Sequence, residues 1–284
     1  MNILVTGGAG FVGSNLIKRL VLAGHTIVSL DNYFAGSVAN HIPGVEYIKG
    51  HTKNIENLVA ESYDLVFHLG EYSRTEKSLT EPELVWDLNS AGTMAVLEYC
   101  RKRNVRIIYA GSSTKFADDG AGKYQSPYAY SKATNSELVR NYGQWYGLPY
   151  AIAYFYNVYG PGERGEGPYA TLIEIFKQKF LRGEPLIVTA PGTQRRIFTH
   201  VDDIVDGLML IAEKGQGDDY GLGADESYSV LEIARMFSTD IIIGPEKPGN
   251  RMSANLDATK SKTLGWSAKR RVEDYIKDIV KNKN

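Results

Sequence analysis

Asn2-Ile3-Leu4-Val5-Thr6-Gly7-Gly8-Ala9-Gly10-Phe11-Val12-Gly13 passes from a β-branched apolar run, through a glycine turn, into a helical pattern. That order decides the fold. A short buried strand, a tight turn and a helix N-terminus aimed at it make the phosphate-binding corner of a dinucleotide-binding unit. The glycine spacing is GxxGxxG rather than GxGxxG. Asp31 closes the next apolar run, 18 residues after Gly13. There a carboxylate accepts both hydroxyls of an adenine ribose and repels a 2′-phosphate, which predicts NAD rather than NADP. Gly7, Gly10, Phe11, Val12, Gly13, Asp31 and its neighbour Asn32 are the expected cofactor contacts. The alternative is a glycine turn that only lets helix and strand pack.

Outward from this corner, Thr26–Leu30, Glu46–Ile48, Leu65–His68, Val105–Ala110 and Tyr150–Tyr154 also read as buried strands. Phe11–Ala23, Glu83–Lys102 and Tyr128–Tyr146 carry helical spacing between them. Strands alternating with helices build an α/β fold, a Rossmann-type doubly wound parallel sheet. After Asn157 the punctuation changes: Gly160-Pro161-Gly162-Glu163-Arg164-Gly165-Glu166-Gly167-Pro168 is a loop by composition. Shorter elements follow. Residues 1–157 are therefore read as the NAD-binding domain and 158–284 as mainly a smaller C-terminal substrate-binding lobe, with parts near 198–222 returning to the first domain.

The 284 residues suffice for such a core, and 43% hydrophobic with 23% charged residues is ordinary for a globular protein. A net charge of -1 argues against a nucleic-acid partner, which calls for a basic field. Lys269-Arg270-Arg271 is read as a solvated surface. Cys100 is the only cysteine, so no internal disulfide forms, and the five histidines lack zinc-site spacing, so no metal is expected. No apolar run approaches the roughly 20 residues of a membrane span and no leader is evident. A cytoplasmic protein without a membrane partner is the expectation.

Pro127-Tyr128-Ala129-Tyr130-Ser131-Lys132 opens a helix, and residues four apart share a face, so Tyr128 and Lys132 project together. A tyrosine with an ordinary pKa near ~10 is a poor base at neutral pH. A neighbouring ammonium favours its phenolate, and an oxidised nicotinamide adds positive charge. Such a phenol can take a hydroxyl proton while hydride leaves the same carbon, and Lys132 can also bond the nicotinamide ribose. By itself Tyr-x-x-x-Lys describes many surface helices; its position downstream of the glycine turn gives it weight. Gly111-Ser112-Ser113-Thr114 follows the fifth strand, where a hydroxyl can bond the reacting oxygen or simply cap a turn.

Together these residues resemble the extended short-chain dehydrogenase/reductase superfamily, and within it the UDP-galactose 4-epimerase-like nucleotide-sugar enzymes. His68-Leu69-Gly70, Asn89-Ser90-Ala91-Gly92-Thr93, Tyr156-Asn157-Val158-Tyr159-Gly160-Pro161, Gly192-Thr193-Gln194-Arg195-Arg196-Ile197-Phe198-Thr199-His200-Val201-Asp202-Asp203 and Leu264-Gly265-Trp266 extend the likeness over nearly the whole chain. The resemblance implies Ser112 as catalytic hydroxyl, Tyr128 as acid/base and Lys132 as its partner. Leu69, Gly70, Tyr128 and Lys132 join the cofactor contacts, Ser112, Ser113 and Tyr128 the substrate contacts, and Asn157 and Arg196 hold the nucleotide diphosphate of a nucleotide-sugar substrate. It also implies a homodimer through the helices Glu83–Lys102 and Tyr128–Tyr146.

The chain departs from the family at several places. Gly50-His51-Thr52 stands where an acidic residue meets adenine. Lys247 replaces a second phosphate-binding arginine, with Arg251 as substitute. Ala254 is small where some epimerases limit N-acetyl groups with a bulky residue. Glu71-Tyr72-Ser73-Arg74 replaces small apolar residues, which implies either an atypical sugar or a solvated loop. The superfamily's 4,6-dehydratases carry Asp-Glu directly after the catalytic hydroxyl and its decarboxylases a Glu; here Ser113 and Thr114 stand there. The resemblance therefore points to an NAD-dependent 4-epimerase of the UDP-glucose/UDP-galactose type. A one-way oxidase or reductase, a dehydratase on an atypical sugar, and a non-catalytic NAD(H) sensor are the alternatives.

Overall fold

Strand β1 (Asn2–Thr6) lies between β2 (Thr26–Asp31) and β4 (Leu65–His68), parallel to both. A computed structural model describes residues 1–167, 169–238, 240–246, 252–253 and 255–283. With β3 (Glu46–Lys49), β5 (Arg106–Ser112), β6 (Tyr150–Phe155) and the strand Gly217–Leu222, they form a seven-stranded parallel sheet. Its order is Gly217–Leu222, β6, β5, β4, β1, β2, β3, so the chain direction across the sheet reverses between β1 and β4. Loops leaving these two strands diverge and open a crevice at their C-terminal ends.

Alternation along the strands sends side chains to two faces. Leu4, Val66, Ile107 and Ile152 pack beneath Val96, Leu97 and Val139 of the helices Gly92–Arg103 and Pro127–Tyr146. Ile3, Val5, Phe67 and Ile108 pack on the other face against Leu16, Ile17, Ile204 and Leu208 of the helices Phe11–Leu22 and Val201–Lys214. Each fully buried aliphatic side chain contributes about 1.5–3 kcal/mol. Both faces covered is what a parallel sheet requires.

Helix Pro127–Tyr146 begins where sequence chemistry demands. The Ser126 hydroxyl accepts the Ala129 N–H at 3.1 Å, Pro127 occupies the first turn, and Gly147 ends the helix with φ of 67°. The expected helix Glu83–Lys102 is subdivided: Pro82–Val85, a wider π-type turn at Trp86–Ala91, then Gly92–Arg103. At that turn the Asn89 carbonyl accepts Asn135 Nδ2 at 3.1 Å, a side chain entering the helical ladder.

A third core joins Phe176, Val188, Ile233, Phe237 and Ile276 in the C-terminal part, around the parallel strands Leu186–Thr189 and Ile241–Gly244. Lys269 and Arg271 are exposed, as the sequence reading expects, but Arg270, with its side chain 40% exposed, is also anchored. Its Nη1 donates to the fully buried carboxylate of Asp203 at 2.6 Å, and that carboxylate also accepts the Lys269 and Arg270 N–H groups at 3.0 and 2.9 Å. A carboxylate at the start of helix Val201–Lys214 had to be neutralised once buried, and the last loop supplies the partner.

Candidate active site

The glycine turn sits at the crevice. Gly7 has φ of +74°, and a Cβ there would lie 2.7 Å from Gly70 Cα. A Cβ on Gly13 would meet the Gly7 carbonyl oxygen at 2.2 Å. Only glycine allows this closeness of β1, β4 and the helix behind them. Helix Phe11–Leu22 starts without a side-chain cap, which leaves its first N–H groups for an anion. Asp31 ends β2 with its carboxylate fixed by the Ala9 N–H at 2.9 Å and the Tyr33 N–H at 2.7 Å, and burial pushes its carboxyl above the usual value against those two bonds. Uncapped helix, backbone cradle and oriented carboxylate fit the pyrophosphate and adenine ribose of NAD. His51 and Thr52 do not border the cleft; His51 Nε2 instead meets Asp87 at 3.0 Å.

From this corner a cleft of about 590 Å³ runs to the C-terminal part of the chain. Gly7, Gly10, Phe11, Val12, Gly13, Asp31, Asn32, Leu69, Gly70, Ser112, Ser113, Tyr128, Lys132, Asn157 and Arg196 all border it. Residues expected at the site from seven separate stretches thus share one cavity, of a size ordinary for a small-molecule site. Lys247, Arg251 and Ala254 lie outside the described residues. Arg195, adjacent to Arg196, points to solvent and pairs with Glu232 at 3.4 Å. Asn157 Nδ2 donates to the Ile197 carbonyl at 2.8 Å, tying the strand after β6 to the Arg196 segment.

At the centre, the Tyr128 hydroxyl donates to Ser112 Oγ at 3.1 Å, and Thr114 Oγ1 donates to the same oxygen at 2.9 Å. Lys132 Nζ donates to the Ala110 carbonyl and to Glu71 Oε2. Glu71 is therefore neither a solvated loop residue nor free in the cleft: its side chain is 3% exposed. Its Oε1 accepts Thr93 Oγ1 at 2.8 Å, Asn135 Nδ2 at 2.9 Å and the Tyr109 hydroxyl at 3.0 Å. Burial pushes the Glu71 carboxyl up, but the Lys132 ammonium, the field of His68 and the donated hydrogen bonds together outweigh it and hold the group below the ordinary value. His68 continues the chain of bonds, meeting Thr93 Oγ1 at 2.9 Å and Thr6 Oγ1 at 2.7 Å; burial lowers its pKa to about 4, so it is neutral.

Arg74 also reaches the cleft, with Nε donating to the Tyr169 carbonyl at 2.8 Å. Glu71, Arg74 and Asn135 were under-read from the sequence. Asn135 had a signal: it lies seven residues after Tyr128 on the same helical face.

The family model for the NAD dependent epimerase/dehydratase family matches residues 3–223. With this fold and cleft, the chain belongs to that family and is an NAD-dependent enzyme. A candidate UDP-glucose 4-epimerase of Methanocaldococcus jannaschii is 29% identical over 99% of this chain and 99% of its own. A UDP-N-acetyl-alpha-D-glucosaminuronate decarboxylase of Bacillus cytotoxicus is 32% identical over 82% of this chain and 78% of its own. Among solved structures, the UDP-glucose 4-epimerase of Thermotoga maritima, with UDP-glucose, superposes with a TM-score of 0.91 at 26% identity, covering 99% of this chain and 98% of that one.

Proposed function

We propose that this enzyme is a nucleotide-sugar 4-epimerase of the UDP-glucose/UDP-galactose type, acting through a transient 4-ketose. The reading is carried by the residues directly after Ser112. Dehydratases and decarboxylases of this superfamily place carboxylates there. Here Thr114 puts a hydroxyl on Ser112 Oγ instead, at 2.9 Å. Epimerisation needs no acid or base beyond the one phenol. NAD, bound at the glycine corner, supplies the hydride acceptor and donor. Tyr128 takes the proton of the 4-hydroxyl and later returns it, while Ser112 holds the same oxygen by hydrogen bonding. Asn157 and Arg196 hold the diphosphate, where a planar guanidinium can bond two oxygens.

The test is mass spectrometry of products from a panel of UDP-, GDP- and dTDP-sugars incubated with the enzyme in heavy water. A C4 epimer without carbon-bound deuterium is expected. Deuterium on carbon, or loss of water or CO2, overturns the reading. A net oxidised or reduced sugar would instead support a one-way reaction on an atypical sugar, which Arg74 favours: its guanidinium on the cleft suits an anionic substituent.

The division near residue 157 into an NAD-binding domain and a substrate lobe belongs to the same reading, with strand Gly217–Leu222 beside β6 returning to the first domain. So does a homodimer. Trp86, Met94, Tyr130, Trp145 and Tyr146 are each more than 40% exposed along the helical segments Pro82–Arg103 and Pro127–Tyr146. An aromatic face of this kind marks an interface, here with a second copy. No helix among the described residues is long and apolar enough to cross a membrane. A cytoplasmic location is part of the proposal.

A further inference from the structure

We propose that Glu71 is a positioning residue that cancels the charge of Lys132 at Tyr128, so that the phenol answers to the charge of its ligands rather than to the lysine. The inference rests on the reading of Tyr128 and Lys132 as the acid–base pair. It starts from an ion pair with no counterpart in the simple Tyr-x-x-x-Lys scheme.

Glu71 and Lys132 are 61 residues apart, yet their side chains are 3% and 6% exposed and in direct contact. The carboxylate is built for permanent charge. Three donors, from Thr93, Tyr109 and Asn135, occupy Oε1, and Lys132 occupies Oε2. Bond directions agree with this. If Thr93 gives its proton to Glu71, its oxygen must accept from His68 Nε2, which leaves His68 Nδ1 to accept from Thr6. One neutral histidine tautomer satisfies every link.

Lys132 has three N–H bonds to give. Glu71 and the Ala110 carbonyl take two, which aims the ammonium and leaves one for a ribose hydroxyl. The consequence for Tyr128 is electrostatic. An ammonium alone favours a neighbouring phenolate by about one to three pH units. Paired with a buried carboxylate, it presents to the phenol a dipole rather than a charge. Another charged group on the same cleft wall is Arg74, whose guanidinium acts on Tyr128 through its charge. Tyr109 faces Glu71 as a neutral donor, and His68 is uncharged. With Lys132 neutralised, the charge that varies during the reaction is the one on the nicotinamide ring. That suits a group that must both remove and return one proton.

The experiment follows the first proton lost from the Tyr128–Lys132 pair in the full-length protein, with and without NAD. Phenolate absorbance reports the tyrosine and NMR of 13C-labelled lysine reports the ammonium, with Tyr128→Phe and Lys132→Met assigning the two signals. The variants are Glu71→Gln, which keeps the shape, and Glu71→Ala, which removes the carboxylate altogether. In both, the pair is expected to lose its first proton about one pH unit or more below wild type. An unchanged midpoint in the folded variants, with only stability lowered, would reduce Glu71 to packing and overturn the inference. Because neither readout needs turnover, failure of the epimerase reading is seen separately in the sugar panel.

Discussion

The hydroxyl of Tyr128 donates to Ser112 Oγ at 3.1 Å, joining the first turn of helix Pro127–Tyr146 to the last residue of β5. The two groups converge on one cavity wall, so both can reach a single substrate oxygen. Tyr128→Phe should lower kcat by about 10²–10⁴-fold, the range for loss of a positioned acid/base, with circular dichroism unchanged. Steady-state kinetics on the active sugar check it; wild-type rates would remove the phenol from the chemistry.

Asp31 is preset by two backbone N–H groups, from Ala9 and Tyr33. In the proposed site a carboxylate held there would repel a 2′-phosphate by charge. Asp31→Asn is expected to weaken NAD binding by about tenfold, the loss of one charge-assisted hydrogen bond, and to narrow the gap to NADP. Fluorescence titration with NADH and NADPH measures both. A preference for NAD as strong as in wild type would place the adenine ribose elsewhere.

Glu163 borders the cleft at the loop after Gly160, whose N–H it accepts at 2.9 Å. Burial pushes its carboxyl up to about 7, against the opposing bond from the Gly160 N–H. The folded-state pKa lies above the ordinary 4.5, so the folded chain holds this proton more tightly than the unfolded chain does. That contribution to stability is complete below pH 4.5 and is lost as pH rises through about 7. Glu163→Gln, permanently neutral, should therefore gain stability relative to wild type across this window. Urea unfolding of both proteins at several pH values tests it; a constant difference would contradict the shift.

Asp203 anchors the C-terminal loop by accepting two backbone N–H groups and the Arg270 guanidinium. Asp203→Ala leaves these donors without their acceptor and is expected to destabilise the fold by about 3 kcal/mol. Chemical denaturation reads that loss, and NAD affinity of the folded variant should stay as in wild type. A change below about 0.5 kcal/mol would mean that water replaces the carboxylate.

The features legible in the sequence are those that short spacings encode. A turn that needs glycine at 7 and 13, a carboxylate at the end of the next strand, and a phenol four residues before a lysine are local facts. Helical and strand periods convert them into geometry without knowledge of the rest of the chain. Asn135 was legible by the same rule. Glu71 was not, because three residues beyond a strand end a side chain can turn to solvent or inward, and nothing nearby in sequence decides between them. The anchor of Arg270 was not legible for a related reason: its partner Asp203 lies 67 residues earlier.

From its residues alone the chain determined a parallel sheet, a dinucleotide corner that favours NAD, and the pairing of Tyr128 with Lys132, since each comes from backbone sterics or from the 3.6-residue period. Only the tertiary structure decided that Lys132 has a buried carboxylate as partner. Adjacency of β4 and β5, with helix Pro127–Tyr146 laid across them, brings Glu71 against Lys132 inside a region too dry to leave either charge alone. Charges buried together depend on long-range packing, and long-range packing has no period to read.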